Sequence, residues 1–359
     1  MQTLLRYYKF SLLFTAACFG LAVWYGWAST GSVTATLGIL WIVVVLSILE
    51  VSLSFDNAVV NATVLRDMDP VWQRRFLTWG ILIAVFGMRI IFPIAIVSIA
   101  ASVGPVEAIN LSLNDPQEYE RIVSGAHIGI AGFGGAFLAM VGLTFFFEEE
   151  KDVHWIGALE RTINKFSTVP AVEIGLVLTL VYAVSTLLPA ADALTFLTAG
   201  ILGLVTFIGV HALGAIIEQR EARKKAAGEI VRSGLGGFLY LEVLDASFSF
   251  DGVIGAFALS NNMVIIALGL SVGAIFVRSI TIHLVQTGTL AQYRYLEHGA
   301  FWAIIVLGVI MLVSAKVHIP ETITGLIGAV LIGLSLWWSV RHNRKFGSEQ
   351  INLADEKEA

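Results

Sequence analysis

The sequence predicts an all-α polytopic membrane protein with about ten transmembrane helices that contain two inverted-topology three-helix repeats. Three observations support this prediction. The 359 residues are 57% hydrophobic and 14% charged, with a mean hydropathy of +0.82, whereas a soluble domain has about 25% charged residues. Apolar runs long enough to cross a hydrocarbon layer of about 30 Å recur along the chain. Two distant segments also share the pattern S-x-S-F-D.

Windows of about 19 apolar residues place the helices in order. The predicted spans are 9–28, 34–64, 76–103, 127–147, 170–189, 193–216, 233–260, 263–289, 299–315 and 320–340. They divide the chain into an N-terminal helix (1–33), a first repeat (34–147), cytoplasmic loops with linking helices (148–232), a second repeat (233–316) and a last helix with its tail (317–359). The first span follows Arg6 and Lys9, a pattern also typical of a cleaved signal peptide, so its cleavage stays open.

The basic residues are distributed asymmetrically between the predicted loops. With ten spans and a cytoplasmic N-terminus, 18 of the 22 Lys and Arg residues fall on the cytoplasmic side. Arg121 and Lys316 fall on the opposite side, and Arg89 and Arg278 lie within spans. Because cytoplasmic loops of membrane proteins are enriched in positive charge, this pattern predicts cytoplasmic N- and C-termini. The outer loop 104–126 is acidic and is expected to be solvated, with the gathering of cations as the alternative role.

The segments LEVSLSFDNAVVNA (49–62) and LEVLDASFSFDGVIGA (241–256) are similar. When their S-F-D motifs are aligned, Glu50 coincides with Asp245. Each of these two acids lies six residues before the aspartate of its own motif. Arg89 then matches Arg278, and each arginine lies nine residues after a glycine. The copies are five spans apart, so equivalent helices must run in opposite directions. Inverted repeats of this kind are typical of secondary transporters, whose substrate sites lie at the repeat interface.

Five acids lie within the predicted spans, where a charge costs about 2.5–3.5 kcal/mol at a helix centre. Two intramembrane arginines cannot neutralise five acids, so some acids must be protonated or must bind a cation. At about 100° per residue, Asn57 and Asn61 share a helix stripe with Glu50. The predicted metal ligands are Glu50, Asp56, Asn57, Asn61, Glu242, Asp245 and Asp251, with Arg89 and Arg278 as counter-ions or gating residues. Two acids six residues apart reach one ion only if the helix is partly unwound or the ion lies between helices.

The residue types restrict the chemistry of this site. Carboxylate, amide and hydroxyl oxygens suit hard cations such as Mg²⁺, Ca²⁺ or Mn²⁺. The single cysteine, Cys18, excludes an internal disulfide framework and a cysteine-based metal cluster. The sequence contains no H-E-x-x-H motif, and its one G-x-S-x-G match, at 269–273, lies within a predicted membrane span and not at a strand-to-helix turn, so we expect no enzymatic activity. No organic cofactor and no nucleic-acid partner are predicted.

These motifs resemble the TerC family of tellurium-resistance-related integral membrane proteins, within the LysE-like transporter group. The resemblance is carried by Leu49-Glu50-Val51, Ser54-Phe55-Asp56-Asn57, the acidic segment from Glu242 to Gly252, and Arg89 with Arg278. It implies a bacterial inner-membrane protein related to efflux of manganese or other divalent cations, with the repeat acids as ligands. The chain departs from the family pattern in its extra N-terminal helix, its long outer loop and three additional residues before the second S-F-D motif. These departures leave the role of Glu242 and the substrate open.

The leading functional prediction is a secondary transporter that exports a divalent metal cation, above all Mn²⁺, through a carboxylate site at the repeat interface. One alternative is a transporter of Ca²⁺ or another cation. Another is a non-transporting membrane scaffold for metal-loading or stress-response complexes, which would use loops 148–169 and 217–232. The expected partners are the lipid bilayer and the metal cation. The sequence leaves the coupling ion, the transport direction and homo-oligomerisation open.

Overall fold

The computed structural model describes residues 2–147, 153–166, 169, 171–226, 233–257, 259–317 and 319–346. Every regular element in these ranges is helical. The α-helices are α1 (Gln2–Thr30), α2 (Val33–Leu53), α3 (Phe55–Arg66), α4 (Pro70–Leu82), α5 (Phe92–Ala100), α6 (Pro105–Asn114), α7 (Pro116–Gly125), α8 (His127–Phe147), α9 (Gly157–Asn164), α10 (Val172–Ser185), α11 (Ala190–Ala226), α12 (Leu235–Phe257), α13 (Met263–Gln286), α14 (Thr289–Gln292), α15 (Leu296–Ser314) and α16 (Glu321–Phe346). A π-helical segment (Ile83–Ile91) connects α4 to α5.

Eight helical stretches among the described residues are long and apolar enough to cross a membrane. They are Tyr7–Thr30, Val33–Leu53, Pro70–Ile99, His127–Phe147, Ala190–Ala226, Met263–Gln286, Leu296–Ser314 and Ile323–Lys345. The structure therefore confirms an all-α polytopic membrane fold. Helix α10 is apolar but has only 14 residues, and α12 carries three acids among its 23 residues. The count of ten spans requires both to cross as well, so the count and the predicted domain boundaries stay predictions.

The predicted span 34–64 is not one continuous helix. Helix α2 ends just before Ser54, which has φ −104° and ψ 16°, and α3 begins just after it. The N–H of Ser54 still donates to the carbonyl of Glu50 at 3.0 Å, but the chain turns before α3 starts. This turn lies between Glu50 and Asp56, so the two acids no longer follow the geometry of a straight helix. The matching helix of the second half, α12, is continuous.

A second irregularity lies in the third predicted span, 76–103. The helix starts earlier than predicted, at Pro70, and its centre is the π-helical segment that contains Arg89. Pro93 follows this segment and has no N–H to donate to the carbonyl four residues earlier, which disrupts the α-helical pattern. Arg89 Nη1 donates to the carbonyl of Ala84 at 2.9 Å. Short π-helical stretches are rare and often lie at functional sites.

The acidic segment 104–126 is a folded helical hairpin, not the solvated loop that its charge predicted. Helices α6 and α7 each begin at a proline, whose missing N–H is not needed in a first helical turn. Tyr119 is fully buried, and its ring lies 6.3 Å from that of Phe257 at the end of α12. Glu118 faces outward, where hydrogen bonds from Arg121 lower the pKa of its carboxyl. The hairpin thus packs an apolar face against α5 and the end of α12 and exposes its charges.

Glycines allow the central helices to approach one another closely. Helix α8 lies between α11 and α15. A Cβ atom on Gly132 would lie 2.6 Å from the carbonyl oxygen of Phe196 in α11. A Cβ atom on Gly135 would lie 2.9 Å from the carbonyl oxygen of Gly308 in α15. Small residues at such contacts are characteristic of helix packing in membranes, where close backbone approach replaces hydrophobic burial.

Helix α1 packs against α2 and α13. Ser11 is fully buried, and its hydroxyl lies 2.6 Å from the hydroxyl of Ser279 in α13. The hydroxyl of Tyr8 lies 3.2 Å from Nδ1 of His283, also in α13. The first predicted span therefore takes part in the helical bundle, in contact with the second repeat.

Candidate functional site

The first buried ion pair joins Glu50 on α2 to Arg89 in the π-helical segment. The side chains are 3% and 5% exposed, and Arg89 Nη2 donates to Glu50 Oε1. The hydroxyl of Ser54, at the helix break, donates to the same oxygen at 3.4 Å. The other oxygen, Oε2, faces α12, where a Cβ atom on Gly252 would lie only 2.8 Å away. Glycine at this position leaves room for the carboxylate between the two halves.

The second buried ion pair lies in the second half. Arg278 on α13 donates from Nη2 to Asp245 Oδ2 at 2.7 Å and lies 3.6 Å from Glu242 Oε2. Its Nη1 donates to the carbonyl of Phe76 at 3.0 Å, and its guanidinium lies 4.2 Å from the centre of the Phe76 ring. A Cβ atom on Gly80 of α4 would overlap with the guanidinium of Arg278. Helix α4 can therefore pass close to this guanidinium only because residue 80 is glycine. Two carboxylates of α12 thus share one buried positive charge.

The two ion pairs join positions that the repeat alignment makes equivalent. Glu50 aligns with Asp245 and Arg89 with Arg278, and each arginine contacts the acid of its own half. The surroundings differ, because Arg89 bonds a carbonyl of its own helix, whereas Arg278 bonds a carbonyl of the first half. The repeat stays a prediction, and the two predicted halves have different conformations.

A small polar cavity of about 10 Å³ lies between the two ion pairs. It is lined by Glu50, Ser54, Asn57, Arg89, Asp245, Ser249, Ala274, Val277 and Arg278. A volume of this size is close to the minimum for one water-sized group. Asn61 does not line the cavity, but its Nδ2 donates to Asp245 Oδ1 at 3.4 Å. The structure thus gathers most of the predicted site residues around one point.

Several oxygen atoms around this cavity are buried and have no hydrogen-bond partner. Oδ1 of Asn57 and Oγ of Ser249 belong to residues that line the cavity, and Oδ1 of Asn61 belongs to a residue that contacts Asp245 beside it. Glu242 does not line the cavity, and its Oε2 lies 3.6 Å from Arg278 Nη2. Most buried polar groups in proteins are hydrogen-bonded, and leaving one unsatisfied costs about 1–3 kcal/mol. A cation, with or without water, would satisfy these oxygens because every one of them has a free lone pair.

Asp56 lies outside the central cavity. It is 6% exposed and lines a second cavity of about 40 Å³ together with Glu50 and Asn57. Asp56 Oδ1 accepts the N–H of Asn57 at 3.0 Å, and within the described ranges no basic side chain neutralises this carboxylate. Because Glu50 and Asn57 line both cavities, they connect the central cavity to the Asp56 cavity.

Asp251 lies in α12, but its side chain is outside the part of the molecule that the structure describes, so its role as a ligand stays a prediction. Among the described residues, no three His, Cys, Asp or Glu side chains are close enough together to hold a metal ion. Instead, the arginines contact the carboxylates.

Sequence reasoning missed the contribution of the last helix. Thr324, Gly325 and Gly328 of α16 line the cavity that contains Asp56. The sequence signal for this contact is the G-x-x-G spacing within the last apolar span, which allows close helix approach. Sequence reasoning also missed Phe76, whose ring and carbonyl contact Arg278, and it singled out Gly80 only for its spacing from Arg89 and not for its contact with Arg278.

Comparison with known proteins identifies the family. Residues 55–346 match a family described as "Protein of unknown function (DUF475)". The chain belongs to the DUF475 family. The matched range contains Asp56, Arg89, Asp245 and Arg278 and begins after Glu50. No curated protein and no solved structure matches this DUF475 chain.

Proposed function

We propose that this DUF475 protein is a secondary transporter that exports a divalent cation, with Mn²⁺ as the leading candidate. The observation that supports this most is that two unpartnered buried oxygens, on Asn57 and Ser249, belong to residues that line the cavity between two ion pairs. Carboxylate, amide and hydroxyl oxygens are the ligands that hard divalent cations prefer. The cation is the substrate and passes through this site.

In the proposed mechanism, the arginines are internal counter-ions. Arg89 neutralises Glu50, and Arg278 neutralises Asp245, when no cation is bound. Charged side chains inside a membrane require such partners. An entering divalent cation replaces the positive charge of the arginines at the carboxylates, and the guanidinium groups turn away. Cation binding is thereby coupled to a rearrangement of the helices that carry the arginines.

The difference between the two halves offers a route to alternating access. The first half has a helix break at Ser54 and a π-helical segment around Arg89, whereas α12 and α13 are continuous. Transporters with inverted repeats change access by moving one repeat against the other around a site near the membrane midplane. Exchange of the broken and continuous conformations between the halves would expose the site first to one side and then to the other.

The proposed direction and location of transport rest on the charges of the predicted loops and on the family resemblance. The excess of Lys and Arg in the predicted cytoplasmic loops supports an inner-membrane protein with both termini in the cytoplasm. The resemblance to the TerC family supports export and favours Mn²⁺. A Ca²⁺ transporter is the closest alternative, because Ca²⁺ uses the same oxygen ligands.

A membrane scaffold is the alternative from another functional class. A scaffold has no need of buried oxygens that lack hydrogen-bond partners, since each of them lowers stability. Replacing one of these oxygens by an apolar group should therefore stabilise a scaffold and change nothing else. In a transporter, the same replacement should weaken cation binding.

Cation binding to the purified protein tests this proposal. Ser249→Ala removes one unpartnered hydroxyl, Asp245→Asn removes one charge, and Glu118→Gln is a control at an exposed acid. Equilibrium dialysis against Mg²⁺, Ca²⁺, Mn²⁺ and Zn²⁺, followed by metal analysis, gives the affinities. We expect the wild type and Glu118→Gln to bind a divalent cation equally well, Asp245→Asn to bind at least tenfold more weakly, and Ser249→Ala to be weakened to a lesser extent. Equal binding by all four proteins, or none by the wild type, would contradict the proposal.

A further inference from the structure

The Asp56 cavity has a wall that lies outside the two predicted repeats. Its lining includes Asp56 and Asn57 from α3 and Gly252 from α12, and also Thr324 and Gly328 from α16. Helix α16 packs against α2, α3 and α15. The last helix therefore closes the space in front of the Asp56 carboxylate.

Two glycines bring α16 close to the helix break. A Cβ atom on Gly325 would overlap with the side chain of Leu53, the last residue of α2. A Cβ atom on Gly328 would lie 3.7 Å from Asp56 Oδ2, which is an ordinary contact distance. Gly325 thus sets how closely the helices approach, and Gly328 leaves an open space beside the Asp56 carboxylate.

Two oxygen-bearing side chains face this space without a full set of partners. Asn57 is 4% exposed, lines the cavity and has no hydrogen-bond partner at Oδ1. Asp56 is 6% exposed, and its neighbours in the described structure supply a backbone N–H but no positive charge. A carboxylate in such a position needs a cation or a proton, because an isolated charge is very costly away from water.

We propose that Asp56, Asn57 and Thr324 form a second cation subsite, and that Gly328 on α16 determines the size of the cation that this subsite accepts. The inference rests on the proposed transport function, and it adds a specificity element that lies outside the repeats. The cavity of about 40 Å³ holds a cation with one or two waters. Glu50, which lines both cavities, passes the cation between the central site and this subsite.

The size of the subsite gives a selective prediction. Ca²⁺ takes 6–8 oxygen ligands at about 2.3–2.6 Å, so it needs more room than smaller divalent cations do. A methyl group on residue 328 would contact Asp56 Oδ2 and would occupy part of the space that water or the cation uses. Gly328→Ala should therefore weaken binding of Ca²⁺ much more than binding of Mn²⁺.

A matched control lies on the same helix. A Cβ atom on Gly333 would meet no atom within 4 Å, and the residue is exposed. Replacing glycine by alanine favours a helix at either position, so both variants should fold. We expect Gly328→Ala to raise the ratio of Mn²⁺ affinity to Ca²⁺ affinity at least tenfold in the purified full-length protein. Gly333→Ala should leave this ratio unchanged.

The outcomes separate this inference from the proposed function. If the wild type binds Mn²⁺ or Ca²⁺ and Gly328→Ala shows the same affinity ratio as Gly333→Ala, the subsite is wrong while transport through the central site stands. If the wild type binds neither cation, the proposed function fails and the subsite fails with it. Thr324→Val gives a second measurement on the same proteins, because it removes only the hydroxyl, and an unchanged affinity for both cations would remove Thr324 from the subsite.

Discussion

Replacing Arg278 by glutamine removes the positive charge that two buried carboxylates share. Coulomb attraction varies inversely with distance, so the contact with Asp245 at 2.7 Å contributes about a third more than the contact with Glu242 at 3.6 Å. Removing one partner of a buried ion pair typically costs about 3–5 kcal/mol, because the other charge is left buried alone. We expect Arg278→Gln to lower the free energy of unfolding of the metal-free protein by this amount.

Unfolding by SDS in mixed micelles, followed by tryptophan fluorescence, measures this change. The double variant Asp245→Asn/Arg278→Gln should recover part of the lost stability, because it no longer contains the buried unpaired aspartate. Arg121→Gln is the control, since Arg121 and Glu118 are 73% and 38% exposed and such pairs contribute little. An Arg278→Gln variant as stable as the wild type would refute the reasoning, and so would a double variant less stable than Arg278→Gln.

The same substitution should have the opposite effect on cation binding. Without the arginine, the cation no longer competes with a fixed positive charge, so its affinity should rise at least tenfold, which is about 1.4 kcal/mol. Release becomes slow, and flux should fall. Arg89→Gln should act in the same way but more mildly, because Arg89 contacts one acid whereas Arg278 contacts two. Unchanged affinity and flux in both variants would show that the arginines are packing residues.

The remaining predictions concern transport, topology and packing. Asp56→Asn and Asp251→Asn should each abolish cation flux in reconstituted vesicles and leave the amount of folded protein nearly unchanged. The reason is that the amide removes the charge of the side chain and keeps its shape. Loss of folded protein in both variants would indicate a structural role. A membrane-impermeant thiol reagent added to intact cells should label a cysteine placed at Ser124 but not one placed at Ser233. Both positions are exposed in the structure, and they face opposite sides of the membrane in the predicted topology. The reverse labelling pattern would invert the topology. Gly203→Ala should lower the free energy of unfolding by about 1–3 kcal/mol, because its Cβ atom would overlap with the carbonyl of Phe133, and equal stability would show that α8 and α11 can move apart.

The fold class could be predicted because it depends on composition and on the length of apolar runs. Because a transmembrane helix has to be apolar along its length, a window of apolar residues in the sequence indicates its position. Helix α12 shows the limit of this signal, because its three acids reduce its apolar character although it lies in the centre of the site. That the two arginines contact intramembrane acids could also be expected from the shortage of positive charge within the spans, whereas the choice of acid for each arginine could not.

The positions of the two helix irregularities, at Ser54 and around Arg89, could not be predicted from the sequence. Neither a proline nor a glycine marks the break at Ser54, which depends on packing of the surrounding helices. Pro93 was a local signal for the irregular segment around Arg89, but its consequence is a π-helical stretch whose extent the sequence does not specify. The placement of α16 against Asp56 depends on a contact between residues far apart in the chain, and a single sequence does not contain that information.

The outer segment 104–126 shows how charge can mislead. Its acids predicted a solvated loop, whereas the buried residues Tyr119 and Val123 show that one face packs against the protein. The apolar residues of this segment recur at helical spacing, and this was the signal that its charges obscured.

Cation flux through the purified protein in proteoliposomes tests the central claim most directly. Vesicles that contain the wild type, Asp56→Asn or the exposed control Glu118→Gln are compared with protein-free vesicles, with Mn²⁺ and then Ca²⁺ as the added cation and a trapped fluorescent indicator as the readout. We expect saturable flux of at least one of these cations for the wild type and for Glu118→Gln. For Asp56→Asn we expect only the rate of the protein-free vesicles. The proposed transport function would be contradicted if the wild type did not exceed protein-free vesicles for either cation, or if Asp56→Asn transported as fast as the wild type.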